Sequence, residues 1–158
     1  MSTMQGNRGA FLDMLAISEI GPGLLRLSDD GYNVIVGSTP AAPRLFHDYS
    51  DHPRQLVQIN ASLASTAAGR YQLLARYFDP YKRLLGLTDF GHEAQDRIAL
   101  QQISERKALV DVDAGRLSVA IAKVRNIWAS LPGADYGQHE NSYATLLDAY
   151  RRAGGMVA

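Results

Sequence analysis

Glu19 is the residue in this chain best placed to do chemistry. It closes the apolar, helix-like run AFLDMLAISE (residues 10–19), and Ile17, Ile20 and the turn Gly21-Pro22-Gly23 flank it. A carboxyl in apolar surroundings resists ionisation, and a helix C-terminus, the negative end of the dipole, pushes the same way. Such a group can hand a proton to a leaving oxygen near neutral pH. On spacing alone, an exposed carboxylate at the end of a surface helix is the commoner reading. Two further carboxylates, Asp48 and Asp51, lie in LFHDYSDHP (residues 45–53). A partner acting as nucleophile would stand ~5 Å from the acid, and one activating water ~6.5–9.5 Å. The histidines at 47, 52, 92 and 139 lack the close spacing of metal ligands, so no metal or other cofactor is expected. His52, just before Pro53, suits a turn or the wall of a cleft.

These groups need elements to hold them. Phe11, Leu12 and Leu15, more loosely Met14 and Ser18, recur at helical spacing up to Glu19. In GYNVIVGS (residues 31–38), Tyr32, Val34 and Val36 alternate with Asn33, Ile35 and Gly37, a strand pattern. Residues 45–49 read as the returning strand and 56–59 as a third. Pro40 and Pro43 make the first link a loop instead of a tight hairpin. From Gly69 the chain turns helical. Asp79-Pro80 breaks that run and starts a short helix ending at Gly86. Further helices are predicted over 93–107, through Leu117, Ala120, Ile121, Val124 and Trp128, and through Tyr143, Leu146, Leu147 and Tyr150. Trp128 reads as core. The class is α+β, a helical body with a small antiparallel sheet.

A chain of 158 residues is most simply one domain, 1–158. Sixteen basic and sixteen acidic residues cancel, so no global field directs it to nucleic acid. There is no cysteine, which excludes disulfide and thiol chemistry. The N-terminal residues are polar and do not read as a secretory signal. No apolar stretch reaches the ~20 residues needed to span a bilayer. A protein made in the cytoplasm is expected, with no membrane insertion. If its substrate lies outside the membrane, something else must let it through.

The order of segments carries a resemblance. A carboxylate at a helix end, a strand-rich lobe, AAGRYQLL (residues 67–74) and, later, NIWASLPGADYGQ (residues 126–138) closely resemble the lambda-type phage endolysins, a lytic transglycosylase family, over nearly the whole chain. The resemblance implies a lysozyme-like fold with the sheet lobe beside a sugar cleft. It implies an endolysin cleaving the MurNAc–GlcNAc β-1,4 bond of peptidoglycan for host lysis. Ser18-Glu19 matches the family's Ser-Glu pair, which makes Glu19 the sole acid/base. The 6-hydroxyl of the muramic acid then attacks its own anomeric carbon and leaves a 1,6-anhydro end. Where the family has an Asp this chain has Asn33, which cannot be a nucleophilic carboxylate. A monomer is expected, held in the host cytoplasm until a holin gives it access to periplasmic peptidoglycan. The alternatives are a hydrolytic N-acetylmuramidase of the same fold and an inactive glycan-binding module.

Residues expected to bind substrate are Ser18, Tyr32, Tyr49, Ser50, His52, Arg70, Tyr71, Gln72 and Tyr136. A tyrosine offers a sugar both an apolar face and a hydroxyl, and Gln72 offers donor and acceptor. Gly69-Arg70-Tyr71-Gln72 is similar to the Gly-x-x-Gln element of goose-type lysozymes. Tyr71 reads equally as core through its spacing with Leu74. Arg70 either meets a peptide-stem carboxylate or anchors an Asp of the sheet. The chain departs from the family in Ile20-Gly21-Pro22-Gly23 after the acid, in Gly37-Ser38, and in a longer link over residues 39–44.

Overall fold

The computed structural model describes residues 1–2, 4–134 and 139–158, which form two compact units. Met1–Glu19 and Ala99–Ala158 make the first, and Ile20–Ile98 the second.

The first unit is helical. In α1 (Gly6–Glu19), Phe11, Leu12, Met14, Leu15 and Ala16 are all fully enclosed. A helix apolar nearly all round is a buried helix, so α1 is more central than a one-faced pattern implied. It packs on α7 (Tyr143–Arg152) and on α5 (Leu109–Asp113). Arg8 Nε meets Asp113 Oδ1 at 2.7 Å and fastens α1 to α5. α6 (Leu117–Val124) turns Leu117, Ala120, Ile121 and Val124 inward. The helix expected to reach Trp128 stops at Val124, yet Trp128 is buried as core from the turn that follows. Ser142 caps α7 by accepting the Thr145 N–H at 3.1 Å. α1 itself ends because Gly21 takes φ +83° and Pro22 brings no N–H. Pro22 instead opens α2 (Pro22–Leu27), where a missing donor costs nothing.

The second unit corrects several expectations. Regular pairing is confined to β1 (Val57–Asn60) and β2 (Leu63–Ser65), an antiparallel hairpin. The strands expected over 32–36 and 45–49 meet at a single bridge, Val34 with Leu45, and Ile35 bridges instead to Ala68. The cause is local. The amides of Tyr32 and Val34 are bound back to Asp29 and Gly31 in turns, so no ladder can propagate through them. The expected loop at Pro40 is a tight turn: Thr39 and Ala42 exchange amide bonds of 3.4 and 3.1 Å. Pro40 presets the turn's first central residue. Residues 69–72 are also a turn, with Gln72 at φ +52°, and α3 (Ala75–Leu85) runs through Pro80 without a break. Pro80 removes one donor from an exposed face, where water can take the orphaned carbonyl.

Ile35, Phe46, Val57, Ala68, Leu73, Phe78, Phe90 and Ile98 form this unit's core. Gln95, on α4 (His92–Glu105), pins loops to it. Its Oε1 accepts the Arg70 N–H at 2.9 Å, and its Nε2 donates to Tyr32 O at 3.0 Å and Phe90 O at 2.8 Å. Gly69 permits this: it has φ +85°, and a Cβ there would lie 2.5 Å from Gln95 Oε1. Gly69→Ala should therefore cost about 2 kcal/mol or more, from left-handed strain plus a displaced pin. Urea unfolding reads this directly, and an unchanged midpoint would show that Gln95 can step aside.

Candidate active site

α1 presents Glu19 at its last residue, half-buried in the first unit. Burial pushes its carboxyl from an ordinary 4.5 up to about 7, and a hydrogen bond from Ser130 pulls weakly the other way. The carboxyl thus holds a proton to neutral pH and can release it there. Ser18, one residue earlier, is buried, with its Oγ 2.7 Å from Ser130 Oγ. Asn141 Nδ2 donates to Ser18 Oγ at 3.1 Å and to Ser18 O at 3.2 Å. The Asn141 N–H donates to Ser130 O at 2.8 Å. Ser18 was expected to bind substrate; its hydroxyl is instead joined to Ser130 and Asn141. Those two residues carry no recognisable spacing to Glu19, so nothing in the sequence marks them.

In the second unit the expected sugar-binding residues divide into two groups. Tyr32, Arg70 and Tyr71 are interior. Tyr32 and Tyr71 both donate to Asp96 Oδ1, at 2.9 and 2.5 Å. Burial, with Asp96 adding to it, holds both phenols well above the usual tyrosine range. Arg70 Nε donates to Asp30 O at 2.9 Å and its NH1 to Tyr71 Oη at 3.1 Å, so it anchors an Asp. His52 is interior too. Its Nδ1 accepts the Arg54 N–H at 2.9 Å, which leaves Nε2–H to donate to Leu73 O at 2.8 Å. Burial lowers its pKa and keeps the ring neutral. His52 stabilises a turn.

Tyr49, Ser50 and Gln72 remain accessible. Tyr49 donates to Asp29 Oδ2 at 2.6 Å, the same oxygen that His92 Nε2 meets at 2.6 Å. Gln72 Nε2 donates to Gly69 O at 2.8 Å, and among the described residues its Oε1 has no donor. Tyr136 lies outside the described residues. Asp48 accepts the Ser50 N–H at 2.8 Å, while Arg54 holds Asp51 in two bonds, 2.9 and 3.1 Å. The Ser50 amide and the Arg54 guanidinium respectively hold these carboxyls below their usual range. Asn33 Oδ1 accepts the Asp29 N–H at 2.9 Å and so serves a turn. A groove of about 490 Å³, lined by Arg44, Gln55, Gln58, Leu56, Val57 and neighbours, is a further polar recess in this unit that the motifs did not mark. Among the described residues no cluster could hold a metal ion.

A half-buried glutamate whose carboxyl is pushed up towards neutrality, at the end of an apolar helix in an α+β chain with a small hairpin, points to a lysozyme-like enzyme. Bacteriophage lambda lysozyme complexed with a chitohexasaccharide shares this fold, with a TM-score of 0.88 at 50% identity over the whole of both chains. A second structure of lysozyme from bacteriophage lambda gives 0.86 at 51%. The Endolysin family matches residues 9–157. The endolysin of Escherichia phage lambda is 51% identical over 99% of this chain and 97% of its own. That of Escherichia phage P2 is 48% identical, over 96% and 95%. The chain belongs to the endolysin family.

The displaced titration has a thermodynamic signature. Below pH 4.5 Glu19 is protonated folded or unfolded, and burial costs nothing extra. Between 4.5 and about 7 the unfolded chain ionises first, so stability falls as pH rises. Above 7 the full penalty, about 3 kcal/mol at most, is in force. Glu19→Gln should then raise the thermal midpoint at pH 8 and leave it unchanged at pH 4. Equal shifts at both values would mean that Glu19 ionises normally.

Proposed function

We propose that this endolysin, a peptidoglycan-degrading enzyme of the lysozyme type, is a lytic transglycosylase with Glu19 as its single acid and base. The observation that carries the reading is the carboxyl that closes α1, which burial pushes up to about 7. Glu19 would protonate the glycosidic oxygen as the bond to the anomeric carbon breaks. The 6-hydroxyl of the same muramic acid then closes on that carbon, and the Glu19 carboxylate takes the hydroxyl proton. No water is consumed, and Glu19 ends as it began. The state of the other acids supports this. Asn33 is an amide, Asp51 is tied to Arg54, and Asp48 serves a turn.

The chitohexasaccharide carried by the lambda enzyme supports a glycan as ligand. Tyr49, Ser50 and Gln72 are the residues we assign to sugar contact, with Gln72 Oε1 accepting from a hydroxyl or acetamido N–H. Residues 1–158 would work as one catalytic domain, in a monomer, and reach the murein from the host cytoplasm through a holin lesion. Among the described residues no helix is long and apolar enough to cross a membrane.

Mass spectrometry of digested murein tests the chemistry: 1,6-anhydromuramic ends are expected. Reducing muramic ends would make the enzyme a hydrolase, and no cleavage a binding module. Glu19→Gln should still bind glycan but lose at least ~10²–10⁴-fold in activity, the usual worth of general acid–base assistance.

A further inference from the structure

Three side chains from separate segments of the second unit meet at one oxygen. Tyr49 Oη lies 2.6 Å from Asp29 Oδ2, and His92 Nε2 lies 2.6 Å from the same atom. A carboxylate can only accept, so the phenol hydrogen and the Nε2 hydrogen both point at it. The Tyr49 hydroxyl also draws the Asp29 carboxyl below its usual range, which keeps it an anion at neutral pH. The partners are themselves held. The Asp29 N–H is bound to Asn33 Oδ1, and the Asp29 carbonyl accepts the Tyr32 N–H, each at 2.9 Å. His92, at the start of α4, lies flat on the Tyr32 ring, with 3.9 Å between centroids and 9° between planes. Further along α4, Asp96 takes the Tyr32 hydroxyl, so the platform under His92 is fixed. The His92 and Tyr49 rings cross at 83° with centroids 5.4 Å apart. Asp29, Tyr49 and His92 all stay partly open to water. Water could satisfy their polar groups equally well, and exposed pairs of this kind add little stability. What the arrangement secures is geometry.

We propose that Asp29 and His92 are positioning residues that hold Tyr49 ready for the glycan, with its hydroxyl turned so that it accepts a hydrogen bond from the sugar. The Tyr49 hydrogen is committed to Asp29, so a lone pair is what the hydroxyl has left to offer a ligand. The matching donors on a glycan are a free hydroxyl and an acetamido N–H. Gln72 Oε1 is an open acceptor as well, so two accessible contacts of this unit ask for the same kind of group. His92 acts on Tyr49 through Asp29. A second donor on Oδ2, carried by a stacked ring, keeps the exposed carboxylate from swinging away from the phenol. A side chain fixed in advance loses less freedom when the ligand arrives, and that difference appears as affinity.

The proposal rests on Tyr49 meeting the sugar, and its test keeps the two apart. Soluble glycan strands freed of peptide serve as substrate, with kcat and KM followed across pH for the full chain. Tyr49→Phe, which removes the accepting oxygen, should raise KM about five- to tenfold, the worth of one hydrogen bond, with kcat within about twofold. Asp29→Ala and His92→Ala should each raise KM roughly threefold in the same way, part of that bond being lost. The alkaline limb of kcat/KM should stay in place in all three, because Glu19 is untouched. His92→Gln, whose amide can donate to the same oxygen, should recover most of the loss. In a Tyr49→Phe background, His92→Ala should raise KM no further, since no hydroxyl is left to position. An unmoved KM in both His92→Ala and Asp29→Ala, beside a raised one in Tyr49→Phe, would overturn the positioning and leave the sugar contact standing. So would effects that multiply in full in the double variant. An unmoved KM in Tyr49→Phe would remove the contact and the positioning together. KM is read alike whichever ends the products carry, so failure of the transglycosylase reading shows in the ends alone.

Discussion

The constraint on which the rest depends is that one carboxyl must be kept out of water without being given a counter-ion. A cation beside Glu19 would make it a permanent anion, and full exposure would let it ionise like any other glutamate. Here the carboxyl is half-buried and, among the described residues, the one group other than burial that shifts it is a neutral hydroxyl, that of Ser130. Such an arrangement works against folding, as active sites often do. What offsets it lies in the same helix: Phe11, Leu12, Met14, Leu15 and Ala16 are wholly enclosed along α1. Each large apolar side chain so buried contributes about 1.5–3 kcal/mol. The helix that bears the strained group is thus among the best-buried parts of its unit.

The second unit meets a different problem. Its loops cannot form long ladders, so side chains take over the work of satisfying the backbone. Gln95 spans three main-chain groups, His52 spans two, and Asn33 closes a turn. Asp96 gathers the hydroxyls of Tyr32 and Tyr71, with Arg70 against the second of them. Buried polar groups are tolerable when each has its partner. No buried side-chain nitrogen or oxygen among the described residues is left without one. The result holds Tyr49, Ser50 and Gln72 on a surface that long strands did not have to build.

How far the chain could be read follows from where partners lie. Helices such as α4 and α7 announce themselves through local periodicity, and α1 with Glu19 at its end was legible for the same reason. The family was legible through segments running in the right order. The strands were not, because alternation at Tyr32, Val34 and Val36 says nothing of turn bonds that claim their amides. Tyr32, Arg70 and Tyr71 have the residue types of a sugar site, and their roles are decided by Asp96 and Asp30, distant in sequence. Ser130 and Asn141 were invisible for the converse reason: common polar residues become informative only when folding brings them to Ser18 and Glu19.

Carbon-13 NMR of the Glu19 side-chain carboxyl, followed through a pH titration of the intact protein, tests the central claim most directly. The account expects a midpoint near 7, well above the ordinary 4.5, for the folded protein. A midpoint close to 4.5 would leave the carboxyl ionised at neutral pH, with no proton to give, and would contradict it.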